Sequence, residues 1–202
     1  MRDKVSAGVF LDRDGVINEL VFNGDTSEFE PPHSPYDLHI FPFAVEALKR
    51  LSAGNYSLFL VSNQPDYAKG KTTLENLKSV HSALHKNLSE NGVEFKEYFY
   101  CYHHPDGVVA KYTKRCKCRK PSPFFLEKAE RKYSIDLKRS WLIGDRDTDI
   151  LMAEECGVRS IMVNYEHSAG YRGNSSPDYQ ASNLHEAVNI ILSSTNKIEQ
   201  PG

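Results

Sequence analysis

Apolar residues in this chain fall into short unbroken runs that alternate with stretches repeating every three or four positions. Val5–Leu11 is one such run. It is closed by Asp12-Arg13-Asp14-Gly15, and it predicts a buried strand ending in a turn. Val45, Leu48 and Leu51, stopped by Gly54, predict a helix, and Ser57–Val61 predicts a second buried strand leading into Ser62-Asn63-Gln64-Pro65. Leu74, Leu77, His81, Leu84 and Leu88 mark one face of a longer helix, with Thr72 and Glu75 as its capping box. Glu97–Cys101 predicts a third strand. Ser122 as N-cap and Pro123 as the first helical residue open a helix with Phe125, Leu126 and Ala129 on its inner side. Ser140–Ile143 and Arg159–Val163 are two further strands, separated by a helix through Ile150, Ala153 and Glu154 that Gly157 closes. Asn183 and Glu186 cap a last helix through Ile191.

Strands that are apolar at every position need cover on both faces, so this rhythm of strand, loop and helix predicts an α/β fold. The expected architecture is a Rossmann-like three-layer sandwich around a central parallel sheet. One domain is expected over residues 1–194. A loop insertion over residues 23–42, rich in Pro, Asp, Ser and His, interrupts it, and a flexible tail over 195–202 follows it.

The chain has 202 residues, 25 of them Lys or Arg against 27 Asp or Glu, for a net charge of −2. That balance lacks the cationic surplus needed to track a nucleic-acid backbone or an anionic bilayer, so neither is expected as a partner. No apolar stretch approaches the roughly 20 residues of a bilayer span. The expected location is the cytoplasm, the expected partner a small metabolite, and the expected state a monomer. Of four cysteines, Cys101, Cys116 and Cys118 crowd into eighteen residues shared with histidines, which favours a metal over disulfides.

In an open parallel sheet, ligands sit beyond the carboxyl ends of the strands, where strand order reverses. The first strand brings Asp12 and Asp14 there, the second Ser62 and Asn63, the helix after the cysteine loop Lys120, and the Ser140–Ile143 strand Asp145. These are the groups that phosphoryl transfer requires. One carboxylate attacks phosphorus and holds the group covalently, while another two residues on protonates the leaving oxygen and later deprotonates water. So many anions in one mouth would repel a phosphate without cations, and Mg²⁺ with Lys120 supplies them. Asp12, Asp145 and the Asp14 backbone carbonyl are the expected oxygen ligands, and Ser62 holds the remaining phosphate oxygens. Each motif alone is common in turns and surfaces; their order and placement in one crevice carry the reading.

Together, FLDRDGVIN, VSNQ, the lysine of CRKP and IGDRDTD resemble the four ordered motifs of the haloacid dehalogenase (HAD) superfamily of phosphatases. The resemblance spans Val5 to Val163. It implies Asp12 as nucleophile, Asp14 as general acid and base, Ser62 and Lys120 as phosphate stabilisers, and Asp145 as Mg²⁺ ligand with Asp149 behind it. The activity implied is that of a phosphoric monoester hydrolase, and no large cap domain is present in the sequence.

Cys101 and His103, followed by Cys116 and Cys118, supply four borderline or soft ligands in two close pairs, which suits a closed tetrahedral Zn²⁺ site of structural type. His104 is the alternative to His103. Such a metal braces the loop that ends at Arg119-Lys120. The pattern resembles the branch holding D-glycero-D-manno-heptose 1,7-bisphosphate 7-phosphatases and histidinol-phosphate phosphatases, which implies zinc at these positions and substrate contacts from Asn63, Gln64, Arg119 and Arg146. Removal of the 7-phosphate of the heptose bisphosphate is the first expectation for this chain. Alternatives are histidinol-phosphate hydrolysis, a nucleic-acid 3′-phosphatase, and a silent zinc-stabilised interaction protein. The sequence departs from the branch pattern in two places. The Thr-Asn-Gln-Ser-Gly run reads Ser62-Asn63-Gln64-Pro65-Asp66, and the loop after Asn18 is longer and richer in proline. Both lie where the body of the substrate should rest. Cys156 is read as a small core residue.

Overall fold

The computed structural model describes residues 6–198. Six strands form one parallel sheet in the order β5-β4-β1-β6-β7-β8, with β1 at Gly8–Leu11, β4 at Ser57–Asn63, β5 at Glu97–Cys101, β6 at Trp141–Gly144, β7 at Arg159–Val163 and β8 at Tyr179–Ala181. The chain leaves β1 toward β4 on one side and returns to pair β6 on the other, so the strand order reverses at β1 and opens a crevice there.

Both faces of the sheet are apolar, and successive residues along each strand serve opposite layers. Val9, Leu11, Leu58, Leu60 and Ile143 pack toward α1 (Ala44–Ala53), α2 (Leu74–Glu90) and α5 (Leu184–Ile198). Phe10, Phe59, Val61, Phe99 and Leu142 pack toward α3 (Phe124–Tyr133) and α4 (Asp147–Cys156). This is the expected three-layer sandwich. Leu11 pairs with both Leu60 and Ile143, so the ends of β1, β4 and β6 lie level and their following residues converge.

Several boundaries differ from the sequence reading for local reasons. The N-cap of α2 is Thr73, whose hydroxyl accepts from the Asn76 amide at 3.0 Å, and not Thr72. Pro123 is itself the N-cap of α3, because the Ser122 hydroxyl donates to the Lys117 carbonyl at 2.5 Å and is spent on the preceding loop. The Asn183 carbonyl oxygen does cap α5, accepting from the Glu186 amide at 3.0 Å. That helix continues to Ile198, so the expected tail is helical over its first four residues; the remainder, 199–202, lies outside the described residues, as does Val5 at the expected start of β1.

The stretch read as an irregular insertion carries a hairpin, β2 (Val21–Asn23) against β3 (Glu28–Glu30), and a 3₁₀ turn at Pro35–Asp37. After β7, a further 3₁₀ turn at Glu166–Tyr171 and then β8 complete the edge of the sheet. Among the described residues no helix is long and apolar enough to cross a membrane.

Candidate active site

At the carboxyl ends of the central strands lies a cleft of about 470 Å³. Asp12 follows β1 directly, and its amide donates to the Ile143 carbonyl at 3.0 Å, tying the motif to the end of β6. Lys120 reaches in from the loop before α3 and is 4 % exposed. Its ammonium lies 2.9 Å from Asp12 Oδ1 and 2.6 Å from Asp149 Oδ1, and donates to the Val61 carbonyl at 3.0 Å. Against the cost of burial, Asp12 and Asp149 hold this ammonium above its ordinary pKa, so it stays charged.

Asn63 fixes the backbone of that lysine from both sides: its Oδ1 accepts from the Lys120 amide at 3.1 Å and its Nδ2 donates to the Lys120 carbonyl at 3.2 Å. Asn63 was expected on the substrate. Its amide places Lys120, and the residue also borders the cleft.

Asp14 is bound on its inner side. Arg13, almost fully buried, donates to it through Nε at 3.0 Å and Nη2 at 3.1 Å, Asn18 Nδ2 donates at 3.0 Å, and Gln64 Nε2 donates at 2.6 Å. Gln64 also donates to Ser62 Oγ at 3.0 Å and accepts from Arg13 at 2.9 Å. Gln64, expected on the substrate, turns its amide inward. With 1 % exposure and three internal partners it orients Asp14 and Ser62 from beneath. The sequence reading passed over Arg13 and Asn18, although a buried carboxylate requires such donors.

Asp12, Asp145 and Asp149 each present a carboxylate oxygen within 4.8 Å of the others. Burial, and then the charges of Asp12 and Asp149, push Asp145 upward from the usual carboxylate range. Ser168 Oγ donates to Asp145 Oδ2, while Asp145 Oδ1 is buried without a hydrogen-bond partner. A buried orphan oxygen beside two further carboxylates is what a hard divalent cation relieves, so this donor set fits Mg²⁺. Asp149 therefore stands among the oxygens that can meet the cation, in addition to its contact with Lys120. Ser168, fully buried in the 3₁₀ turn after β7, carries no motif and was not legible in the sequence.

The cysteine loop gathers as expected. The three sulfurs of Cys101, Cys116 and Cys118 lie 3.4–3.5 Å apart, and His103 Nδ1 lies 3.5 Å from Cys118 and 3.8 Å from Cys101. A tetrahedron built on Zn–S bonds of about 2.3 Å has edges of roughly 3.8 Å, so the cluster fits Zn²⁺ with a small expansion of its sulfur–sulfur distances. The choice between the two histidines falls to His103, since His104 Nδ1 accepts from the Asp106 amide at 3.1 Å. Arg119 Nη1 donates to the His103 carbonyl at 3.3 Å, linking the cluster to the residue next to Lys120.

Arg119 and Arg146 both border the cleft, with Lys69 and His104 on the same rim. Arg146 lies over Tyr171, its guanidinium carbon 4.3 Å from the ring centre. Asp147, also on the rim, accepts from the Gly173 and Asn174 amides and the Ser175 hydroxyl at 2.6–3.2 Å, which pins the loop carrying Tyr171.

The HAD-hydrolase-like family model matches residues 117–187. D-glycero-alpha-D-manno-heptose-1,7-bisphosphate 7-phosphatase of Photorhabdus laumondii is 36% identical over 159 residues, 78% of this chain and 82% of the relative. The chain belongs to the HAD-like phosphatases of the heptose-bisphosphate branch. It is a phosphoric monoester hydrolase. Another member of the branch, D-glycero-beta-D-manno-heptose-1,7-bisphosphate 7-phosphatase of Vibrio cholerae, is 37% identical over 74% of this chain and 76% of its own length. Among solved HAD-like phosphatases, the D,D-heptose 1,7-bisphosphate phosphatase from B. bronchiseptica, complexed with magnesium and phosphate, superposes with a TM-score of 0.77. It is 25% identical, covering 93% of this chain and 99% of that one.

Proposed function

We propose that the chain removes the 7-phosphate from D-glycero-D-manno-heptose 1,7-bisphosphate through a phosphoryl group carried on Asp12. The observation that carries this reading is the buried Lys120 ammonium held between Asp12 and Asp149 at the floor of the cleft. A lysine so placed neutralises one carboxylate enough for a phosphate to approach and leaves the other face of Asp12 open to it.

In the first step an Asp12 oxygen bonds to phosphorus, the bond from phosphorus to the ester oxygen breaks, and Asp14 gives its proton to the departing sugar alkoxide. In the second, water loses a proton to Asp14 and bonds to phosphorus, the bond to Asp12 breaks, and inorganic phosphate leaves with both carboxyl groups restored. Arg13, Asn18 and Gln64 hold Asp14 in one orientation through both proton transfers. Ser62 and Lys120 hold the non-bridging oxygens. Mg²⁺, held by Asp12, Asp145, Asp149 and the Asp14 carbonyl, would contribute positive charge against the phosphoryl oxygens. Arg119 and Arg146 on the rim are placed to take the phosphate that is not cleaved.

Phosphate release from the heptose bisphosphate, from histidinol phosphate and from a 3′-phosphorylated oligonucleotide tests the assignment. The heptose ester is expected to exceed the others by at least tenfold in kcat/KM, as a substrate with a second anion for the rim arginines should. Equal or greater turnover of either competitor would overturn it.

Two further outcomes follow from the metal assignments. Ser168→Ala removes the donor to Asp145 Oδ2, and is expected to weaken Mg²⁺ binding by about tenfold, read by calorimetric titration, with the melting temperature in chelator little changed. Unaltered affinity would separate Ser168 from the cation. Zinc is assigned to Cys101, His103, Cys116 and Cys118. Elemental analysis is expected to find one zinc per chain, and Cys118→Ser to lose it along with several degrees of melting temperature. A zinc-free wild-type protein prepared without chelator would contradict this.

A further inference from the structure

The cysteine loop carries more positive charge than either the reaction or the metal cluster uses. Residues 104–120 hold six cations against one acid, Asp106, in a chain whose net charge is −2. Arg119 borders the cleft, and Lys120 is engaged by Asp12 and Asp149. The other four, Lys111, Lys114, Arg115 and Lys117, are exposed, and among the described residues none of them forms an ion pair. Lys111 lies 5.9 Å from the centre of the Tyr112 ring and Lys117 4.8 Å from that of Phe124, so two of the ammonium groups rest on aromatic faces with their charge uncancelled. A zinc ion held by three thiolates and an imidazole keeps only a single negative charge, too little to offset the four.

The backbone of the loop places these cations at the mouth of the cleft. The His104 amide donates to the Tyr112 carbonyl at 3.1 Å, the His104 carbonyl accepts from the Lys114 amide at 3.2 Å, and His104 itself lines the cleft. The amides of Val108 and Val109 donate to the Ala68 carbonyl at 2.7 and 3.1 Å, which fixes the loop beside Lys69, another lining residue. Lys117 lies two positions along the chain from Arg119. At a Debye length of roughly 10 Å in 0.1 M salt, charges so placed act on an anion in the cleft without touching it.

We propose that Lys111, Lys114, Arg115 and Lys117 form an electrostatic approach surface that draws a multiply charged phosphate ester into the cleft; the proposal rests on the reading of the site as a sugar-phosphate hydrolase. A charged surface bordering a cleft raises the local concentration and arrival rate of an oppositely charged ligand by about 10–10³-fold. The attraction scales with ligand charge, so a bisphosphate is favoured more than a monophosphate. A small ester suits the surface better than a polyanionic chain does, because the surface joins the cleft, holds only four free cations and belongs to a molecule of net negative charge. None of the four side chains belongs to the reacting constellation around Asp12, and their effect falls on kcat/KM and not on kcat.

The test measures kcat/KM for the heptose bisphosphate and for a hexose 6-phosphate between about 0.01 and 1 M ionic strength, over which the screening length falls from roughly 30 Å to about 3 Å. Wild type is compared with the quadruple variant Lys111→Gln/Lys114→Gln/Arg115→Gln/Lys117→Gln, the double variant Lys111→Gln/Lys114→Gln, and the charge-keeping variant Lys111→Arg/Lys114→Arg/Lys117→Arg. In the quadruple variant kcat/KM at low salt is expected to fall about tenfold for the bisphosphate and about threefold for the monophosphate, with both deficits gone at high salt and kcat unchanged. The double variant should lose an intermediate amount and the arginine variant nothing. Elemental analysis and thermal melts identify variants that keep their zinc and their fold, and should the quadruple variant lose either, the double variant decides by the same criterion. A deficit that persists at high salt reports local damage and overturns the proposal, as does a glutamine variant equal to wild type at low salt. Weakened binding of a mixed-sequence oligonucleotide with kcat/KM unchanged would assign the surface to polyanionic chains and overturn it too. If the heptose bisphosphate is not hydrolysed while the hexose phosphate is, with the same salt-dependent deficit, the heptose assignment falls and the approach surface stands.

Discussion

Asp12→Asn is expected to lower kcat by about four orders of magnitude or more without unfolding the protein, because an amide oxygen is too weak a nucleophile to form the phosphoryl ester. The local structure tolerates the change. Asp12 Oδ1 accepts from the Arg13 amide at 2.7 Å, and an amide oxygen can do the same. Asp149 remains to pair with Lys120, and one of three mutually repelling carboxylates becomes neutral. A thermal melt near that of the wild type, together with phosphate release indistinguishable from background, is the expected pair of results. Turnover within tenfold of wild type would place the nucleophile elsewhere.

Lys120→Met is expected to damage both activity and stability. The methionine fills most of the buried channel but leaves Asp12 and Asp149 without the cation that compensates them, 2.9 and 2.6 Å away. Removing one partner from a buried ionic cluster costs about 3–5 kcal/mol. In addition, loss of the charge that steadies the transferring phosphoryl group should cost about 10²–10³-fold in kcat. The two effects separate experimentally, because a Mg²⁺ held as proposed would place positive charge among the same carboxylates and stabilise the folded state by binding to it. The destabilisation should therefore be largest in chelator and smaller in millimolar Mg²⁺, whereas the kcat deficit should persist when the metal saturates. A melting temperature unaffected by the substitution in chelator would show that Lys120 does not compensate the carboxylates.

Where a side chain acts directly at the end of a strand, its role is legible from local sequence. Asp12 and Asp145 sit at such ends, where the parallel register levels Leu11 with Leu60 and Ile143, and Lys120 reaches them from the loop just before α3. The cysteine cluster is legible for a related reason, since soft ligands in close pairs have few other uses. Residues that act through others leave no such signal. Asn63 and Gln64 were expected to meet substrate from the family resemblance. Their amides in fact bind the Lys120 backbone and the Asp14 carboxylate, distant in sequence by 57 and 50 positions. Ser168 lies in a stretch with neither apolar period nor motif, and only the path of the chain after β7 brings it to Asp145. The hairpin was hidden because its strands are only three residues long and flank a polar Gly24–Ser27 turn, and its fastening comes from the Lys71–Glu30 ion pair and the His33–Asp66 hydrogen bond and not from a core of its own. Helix ends were displaced by one residue where a neighbouring hydroxyl competed, as at Thr73 and Ser122.

The central claim is that the phosphoryl group passes through a covalent bond to Asp12, and chemical trapping tests it most directly. The enzyme, mixed with heptose bisphosphate and Mg²⁺ and quenched with acid during turnover, is treated with borohydride, which reduces an acyl phosphate to an alcohol. Peptide mass spectrometry should then find homoserine at position 12. Reduction at another carboxylate, or an unmodified Asp12 during demonstrated turnover, would contradict the account.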